Sequence, residues 1–168
     1  PHSQTMIAGI SAGANLTVAL LLYLKQHGLK LPLCAFQASG IFDLNLESLT
    51  RENAATDYLT LEGIADAMEM YTGTRDREYR CNPLVSPLYG SFEGVPPVYM
   101  TANDNELLYG DNIRLYQALK RDGVEVEFRI WSNTHHGFNM LGDYSPESWV
   151  SNLELCNFYL EQLSKSQY

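Results

Sequence analysis

The chain has 168 residues, with 11 Lys and Arg against 20 Asp and Glu, a net charge of −9 and 45% apolar residues, the composition of one globular domain. Its scattered basic residues form no patch, which argues against nucleic acid or an anionic membrane surface as partner, and no apolar run approaches the roughly 18 residues of a membrane span. Cys34, Cys81 and Cys156 lack C-x-x-C spacing, so neither a disulfide framework nor a zinc site is indicated, and a reducing, cytoplasmic setting is expected.

The opening Pro1-His2-Ser3-Gln4-Thr5 has no initiator Met, no basic n-region and no signal-type apolar stretch. It reads as though cut from something longer. Thr5 to Gly9 is a short β-branched and apolar run ending in glycine, and from Ala12 the pattern turns helical through Leu16, Val18, Leu21, Leu22 and Leu24 until Gly28. This spacing predicts a strand, a tight turn and a helix closed by a glycine just past its end. Leu33 to Gln37 is apolar without alternation, as a parallel strand covered on both faces would be. Residues 40–60 show no period.

Thr60 is an expected N-cap for a helix carrying Leu61, Ile64, Met68 and Tyr71 at spacings of three and four and ending at Gly73. Residues 74–97 are loop-rich, punctuated by Asn82-Pro83, Ser86-Pro87, Glu93-Gly94 and Pro96-Pro97. A strand at Val98 to Ala102 follows, then a helix through Ile113, Tyr116 and Leu119 to Gly123. Val124, Val126, Phe128 and Ile130 alternate with polar residues, which marks a strand with one wet face near a sheet edge. The last helix starts at Ser145 with Pro146 at its first turn, and its expected buried stripe is Trp149, Leu153, Cys156, Leu160 and Leu163. Strands thus alternate with helices, which predicts an α/β domain: a mostly parallel sheet with helices on both faces.

Gly9-Ile10-Ser11-Ala12-Gly13 is a G-x-S-x-G placed where a strand turns into a helix. Both glycines are expected to relieve crowding at so sharp a turn, leaving the Ser11 hydroxyl exposed at a helix N-terminus whose N–H groups, Ala12 first, can stabilise an oxyanion. The same turn could instead bind phosphate or merely pack. A serine nucleophile needs a base. His2 and His27 are expected to be solvated, whereas His135 and His136 lie in a loop after a strand, where open α/β sheets place their sites. A third member is expected between serine and histidine in chain order. The loop Asn103-Asp104-Asn105-Glu106 offers two acids there.

These residues resemble the hormone-sensitive-lipase-like esterases of the α/β-hydrolase fold. The similarity runs through Gly9-Ile10-Ser11-Ala12-Gly13-Ala14-Asn15-Leu16, Asn82-Pro83-Leu84-Val85-Ser86-Pro87-Leu88, Gly94-Val95-Pro96-Pro97-Val98, Asp104-Asn105-Glu106-Leu107-Leu108 with Asp111, Gly123-Val124-Glu125-Val126 and His136-Gly137-Phe138. The resemblance implies nucleophile Ser11, base His136 and an acid near Asp104, with residues from about 41 to 91 forming a cap or acyl-pocket wall. Asn105 falls on the usual acid position; by comparison with family variants Asp104 is the expected acid and Glu106 the second choice. No Gly-Gly pair exists for the family's upstream oxyanion loop, so residues 1–168 read as the part of the domain from the nucleophile elbow onward, without its N-terminal strands.

The leading reading is a serine carboxylesterase hydrolysing small to medium acyl esters through Ser11, Asp104 and His136, with Ala12 as oxyanion donor and no cofactor or metal. Two others stand beside it: a catalytically silent binding module, suggested by the missing upstream oxyanion loop and by Asn105, and one half of a split or processed esterase completed by an upstream segment or a second copy. The carboxylate pairs Glu125/Glu127 and Asp66/Glu69 read as solvated faces, and Met68, Met70 and Tyr71 as core or pocket lining.

Overall fold

In the computed structural model, residues 4–166 are described. His2 lies outside them. Four strands, β1 (Met6–Ile10), β2 (Cys34–Ala38), β3 (Val98–Asn103) and β4 (Val126–Trp131), form one sheet in that order. Every pairing is parallel, with Ala8 opposite Phe36, Phe36 opposite Tyr99 and Tyr99 opposite Glu127. Parallel strands need crossovers, and helices supply them.

Helices α1 (Ala12–Gln26) and α4 (Tyr109–Arg121) cover one face. Their Ala14, Val18, Leu21, Leu22, Leu115 and Leu119 pack on Ala35, Val98 and Met100 of the sheet. Helix α5 (Pro146–Lys165) covers the other, with Phe158 against Phe36 and Tyr99. β2 and β3 are therefore buried along their whole length, which is why Leu33 to Gln37 reads as apolar without alternation. The sequence boundary there is one residue early.

Helix α2 (Leu61–Thr72) begins as expected, with Thr60 Oγ1 accepting from the Gly63 N–H, and ends on Gly73 in the left-handed region. Residues 74–97 also hold a short helix α3 (Arg77–Arg80) and a 3₁₀ turn (Pro87–Tyr89). A second apolar cluster, Ile41, Leu44, Leu49, Ile64, Met68, Leu107 and Leu108, ties α2 to the loops at the carboxyl ends of β2 and β3.

The stripe expected for α5 is not the buried one. Trp149, Leu153, Cys156 and Leu160 are exposed, and the helix instead faces inward with Ser148, Ser151, Phe158 and Gln162. Hydrogen bonds hold the inward face: Ser148 Oγ donates to the Asn139 carbonyl, Ser151 Oγ accepts from Asn139 Nδ2, and Gln162 Nε2 donates to Glu125 Oε1.

Candidate active site

β1 runs into α1 through Ser11, whose backbone sits at φ 58°, ψ −121°. A non-glycine residue with positive φ is strained, and the strain is held by the Ser11 N–H bonding to the Ala38 carbonyl on the next strand. Gly9 is required: a Cβ there would stand 2.0 Å from the Gly13 carbonyl oxygen and 2.6 Å from Thr17 Oγ1. Gly13 is not required in the same way, since no described atom lies within 4 Å of a Cβ at that position. The crowding falls where the strand-side glycine meets the first turns of α1.

The loops at the carboxyl ends of β3 and β4 bring the next two side chains to this hydroxyl. His136, 4% exposed in the loop after β4, places Nε2 2.8 Å from Ser11 Oγ. Its Nδ1 lies 2.9 Å from Glu106 Oε2 in the loop after β3. Because a carboxylate can only accept, the ring proton belongs on Nδ1, which leaves Nε2 as the acceptor for the serine hydroxyl. His135 is turned away, with Nδ1 against the His136 carbonyl. His27, exposed on α1's end, stacks on Tyr23.

The carboxylate beside His136 is thus Glu106 rather than Asp104. Asp104 is exposed and accepts from Ser132 Oγ at 2.5 Å, while its N–H bonds to the Trp131 carbonyl and prolongs the β3–β4 ladder. That pairing sends its side chain toward β4. The chain then turns, and Glu106, 1% exposed, points back across the end of β3. Asn105 is not against the histidine either: its Nδ2 donates to the Thr134 carbonyl.

Asn103, fully buried, completes the surroundings. Its N–H donates to Glu106 Oε1 at 3.1 Å, and its Nδ2 donates to the His135 carbonyl at 3.0 Å. Thr134 Oγ1 in turn bonds to Asn103 Oδ1. One amide therefore joins the acid loop to the histidine loop. The only signal for it in the sequence is an asparagine at the end of a strand that is otherwise apolar. Tyr58 also reaches the site, donating to the His136 carbonyl at 3.2 Å with its ring edge-on to the imidazole; burial and the nearby Asp57 and Glu106 push its phenol up.

Beside Ser11 an apolar cavity of about 190 Å³ opens between the start of α1 and helix α2. Ala12, Asn15, Leu16, Ile41, Leu44, Ala67, Met68 and Tyr71 line it. Met70, which the sequence groups with Met68 and Tyr71, is 86% exposed and takes no part. Among the described residues no three His, Cys, Asp or Glu side chains are gathered as a metal ion would require. None of the helices among them is long and apolar enough to cross a membrane.

Comparison with known proteins agrees with this architecture. The chain is 29% identical over 155 residues to an esterase of Acinetobacter venetianus, covering 91% of this chain and 50% of that protein. It is 32% identical over 149 residues to an acetyl-hydrolase of Streptomyces hygroscopicus, covering 88% and 49%. The structure of a hormone-sensitive lipase from a metagenome library superposes with a TM-score of 0.89 at 31% identity, over 96% of this chain and 54% of that one. The chain spans about half the length of the curated relatives it matches. Residues 1–140 match the alpha/beta hydrolase fold family, and the chain belongs to that family, on its hormone-sensitive-lipase-like side.

Proposed function

We propose that this chain carries the reacting residues of a serine carboxylesterase acting on small to medium acyl esters. The observation that carries the reading is the unbroken hydrogen-bond sequence from Ser11 Oγ to His136 to Glu106. Ser11 Oγ attacks the ester carbonyl as His136 Nε2 takes its proton, and the carbonyl electrons move onto oxygen. The resulting oxyanion faces the start of α1, where the Ala12 N–H is a donor and the helix dipole favours negative charge. His136 then passes the proton to the departing alcohol, and water enters by the same steps in reverse. Glu106 keeps the ring oriented and stabilises the imidazolium.

The acyl or alkyl part of the substrate is assigned to the apolar cavity beside Ser11. Its lining, apolar apart from Asn15 and the Tyr71 hydroxyl, suits a hydrocarbon group. Residues from about 41 to 91, which supply Ile41, Leu44, Ala67, Met68 and Tyr71 to that wall, act as its cap. With Glu106 rather than Asn105 against His136, the site keeps a carboxylate where one can orient the ring, which supports this reading.

The test is covalent labelling. A fluorophosphonate probe applied to the full natural protein should modify Ser11, as mapped by peptide mass, and Ser11→Ala should lower kcat on a short-chain p-nitrophenyl ester by several orders of magnitude. Labelling of another residue, with Ser11→Ala still active, overturns the reading.

A further inference from the structure

Four consecutive residues of the loop bearing Glu106 are gripped by one short stretch of chain between β2 and α2. Asn53 Nδ2 donates to the carbonyl of Asp104 at 2.8 Å and to that of Glu106 at 3.0 Å. Thr56 Oγ1 donates to the Asn105 carbonyl at 2.9 Å, and Asp57 Oδ2 accepts from the Leu107 N–H at 2.7 Å. The gripping stretch is itself held, since the Thr50 N–H bonds to the Leu107 carbonyl, and Asn53 accepts at its own carbonyl from the N–H groups of Thr56 and Asp57.

Resting on the reading of Glu106 as the acid, we propose that Asn53 is a positioning residue whose side-chain amide sets where the Glu106 carboxylate stands against His136. Two independent anchors then define that carboxylate. Asn103 donates to both of its oxygens from the strand side, and Asn53 fixes the backbone from the cap side. A single nitrogen bridging two carbonyls separated by one residue fixes the curvature of the turn between them, and with it the direction in which the Glu106 side chain leaves. Thr56, with one bond to one carbonyl, cannot do this alone. Asn53 lines no part of the apolar cavity, so its loss should act on the chemical step and leave substrate binding alone.

The experiment is a double-mutant cycle in the full natural protein, measuring kcat and KM on a short-chain p-nitrophenyl ester. Asn53→Ala and Asn53→Asp are each combined with Glu106→Gln. Asn53→Asp keeps the volume but cannot donate, and it sets a carboxylate against two carbonyl oxygens. The expected result is a fall in kcat of about 10- to 100-fold for both, the scale of misplacing a reacting group by about an ångström, with KM within threefold. On the Glu106→Gln background the same changes should cost less than twofold, because their target is already gone. Asn53→Asp carries the comparison if Asn53→Ala loses its cooperative thermal transition. The proposal is overturned if Asn53→Asp keeps wild-type kcat, which would make the residue a space-filler, or if the loss is as large without Glu106 as with it. Wild-type activity in Glu106→Gln alone is a separate result: it removes the acid assignment itself, and this inference with it.

Discussion

At the scale of single residues, the divergence between Asp104 and Glu106 is the informative one. Both are acids in one short loop, and nothing in their spacing says which returns to the histidine. The answer depends on a ladder hydrogen bond, from the Asp104 N–H to the Trp131 carbonyl, that extends strand geometry one residue past β3. The places of Ser11 and His136 were legible because a strand-to-helix elbow and a post-strand loop are local features. Which carboxylate stands beside His136 was not, because its direction is set by a partner strand. The kinetic consequence is sharp: Glu106→Gln should lower kcat by about 10⁴-fold, the magnitude recorded for removing the charged partner of a serine protease histidine. Asp104→Asn should stay within about threefold, since its exposed side chain accepts from the exposed Ser132 hydroxyl and not from His136. Steady-state kinetics of the two variants side by side decides it, and a severe Asp104→Asn with a mild Glu106→Gln would reverse the assignment.

At the scale of elements, the helices that could be read were those whose ends carry their own chemistry. Thr60 and Gly73 bracket α2 as capping residues do. Residues 40–60 could not be read, because their order comes from side chains bonded to a loop some fifty positions away, as Asn53 is to Asp104, and such pairings leave no period. The same docking explains Gly110: a Cβ there would meet the Ser48 carbonyl oxygen at 2.0 Å, so the stretch around Ser48 can lie flat on the start of α4. Helix α2 carries a prediction of its own. Met68 and Ala67 both face the cavity, so widening it with Met68→Ala should move the preferred p-nitrophenyl ester toward longer acyl chains. Narrowing it with Ala67→Phe should do the opposite, and one methylene in such a pocket changes kcat/KM by about 10-fold or more. Chain-length profiles of kcat/KM measure this; profiles that coincide for both variants and the parent would place the acyl chain elsewhere.

At the scale of the whole molecule, the alternation of strands and helices made the parallel sheet legible, while the bonding of the buried polar framework between the segment after β2 and α4 was not legible. Its centre is Asp111, fully buried at the start of α4, whose Oδ2 accepts from the N–H groups of Phe42 and Asp43 and so pins the segment after β2 to α4. Burial pushes its carboxyl up to about 6, with the nearby Asp43 adding to the rise and the two N–H bonds opposing it. Arg114, the cation facing this pair, bonds to Asp43 at 3.4 Å and to Ser48. In the unfolded chain the same carboxyl titrates near its ordinary value of 3.8. Between about pH 4 and pH 6 the folded protein therefore holds a proton at Asp111 that the unfolded chain has released, and the contribution of Asp111 to stability falls as pH rises through that window, then stays level. A difference of about two pH units amounts to roughly 3 kcal/mol. Asp111→Asn keeps an oxygen for the Phe42 and Asp43 N–H groups and abolishes the titration. Its unfolding free energy, taken relative to the parent by urea melts at matched ionic strength, should accordingly rise by a few kcal/mol from pH 4 to pH 6 and no further above it. A constant pH-independent offset between the two proteins fits only a carboxyl that titrates alike in both states, and would show that Asp111 is not held up by burial.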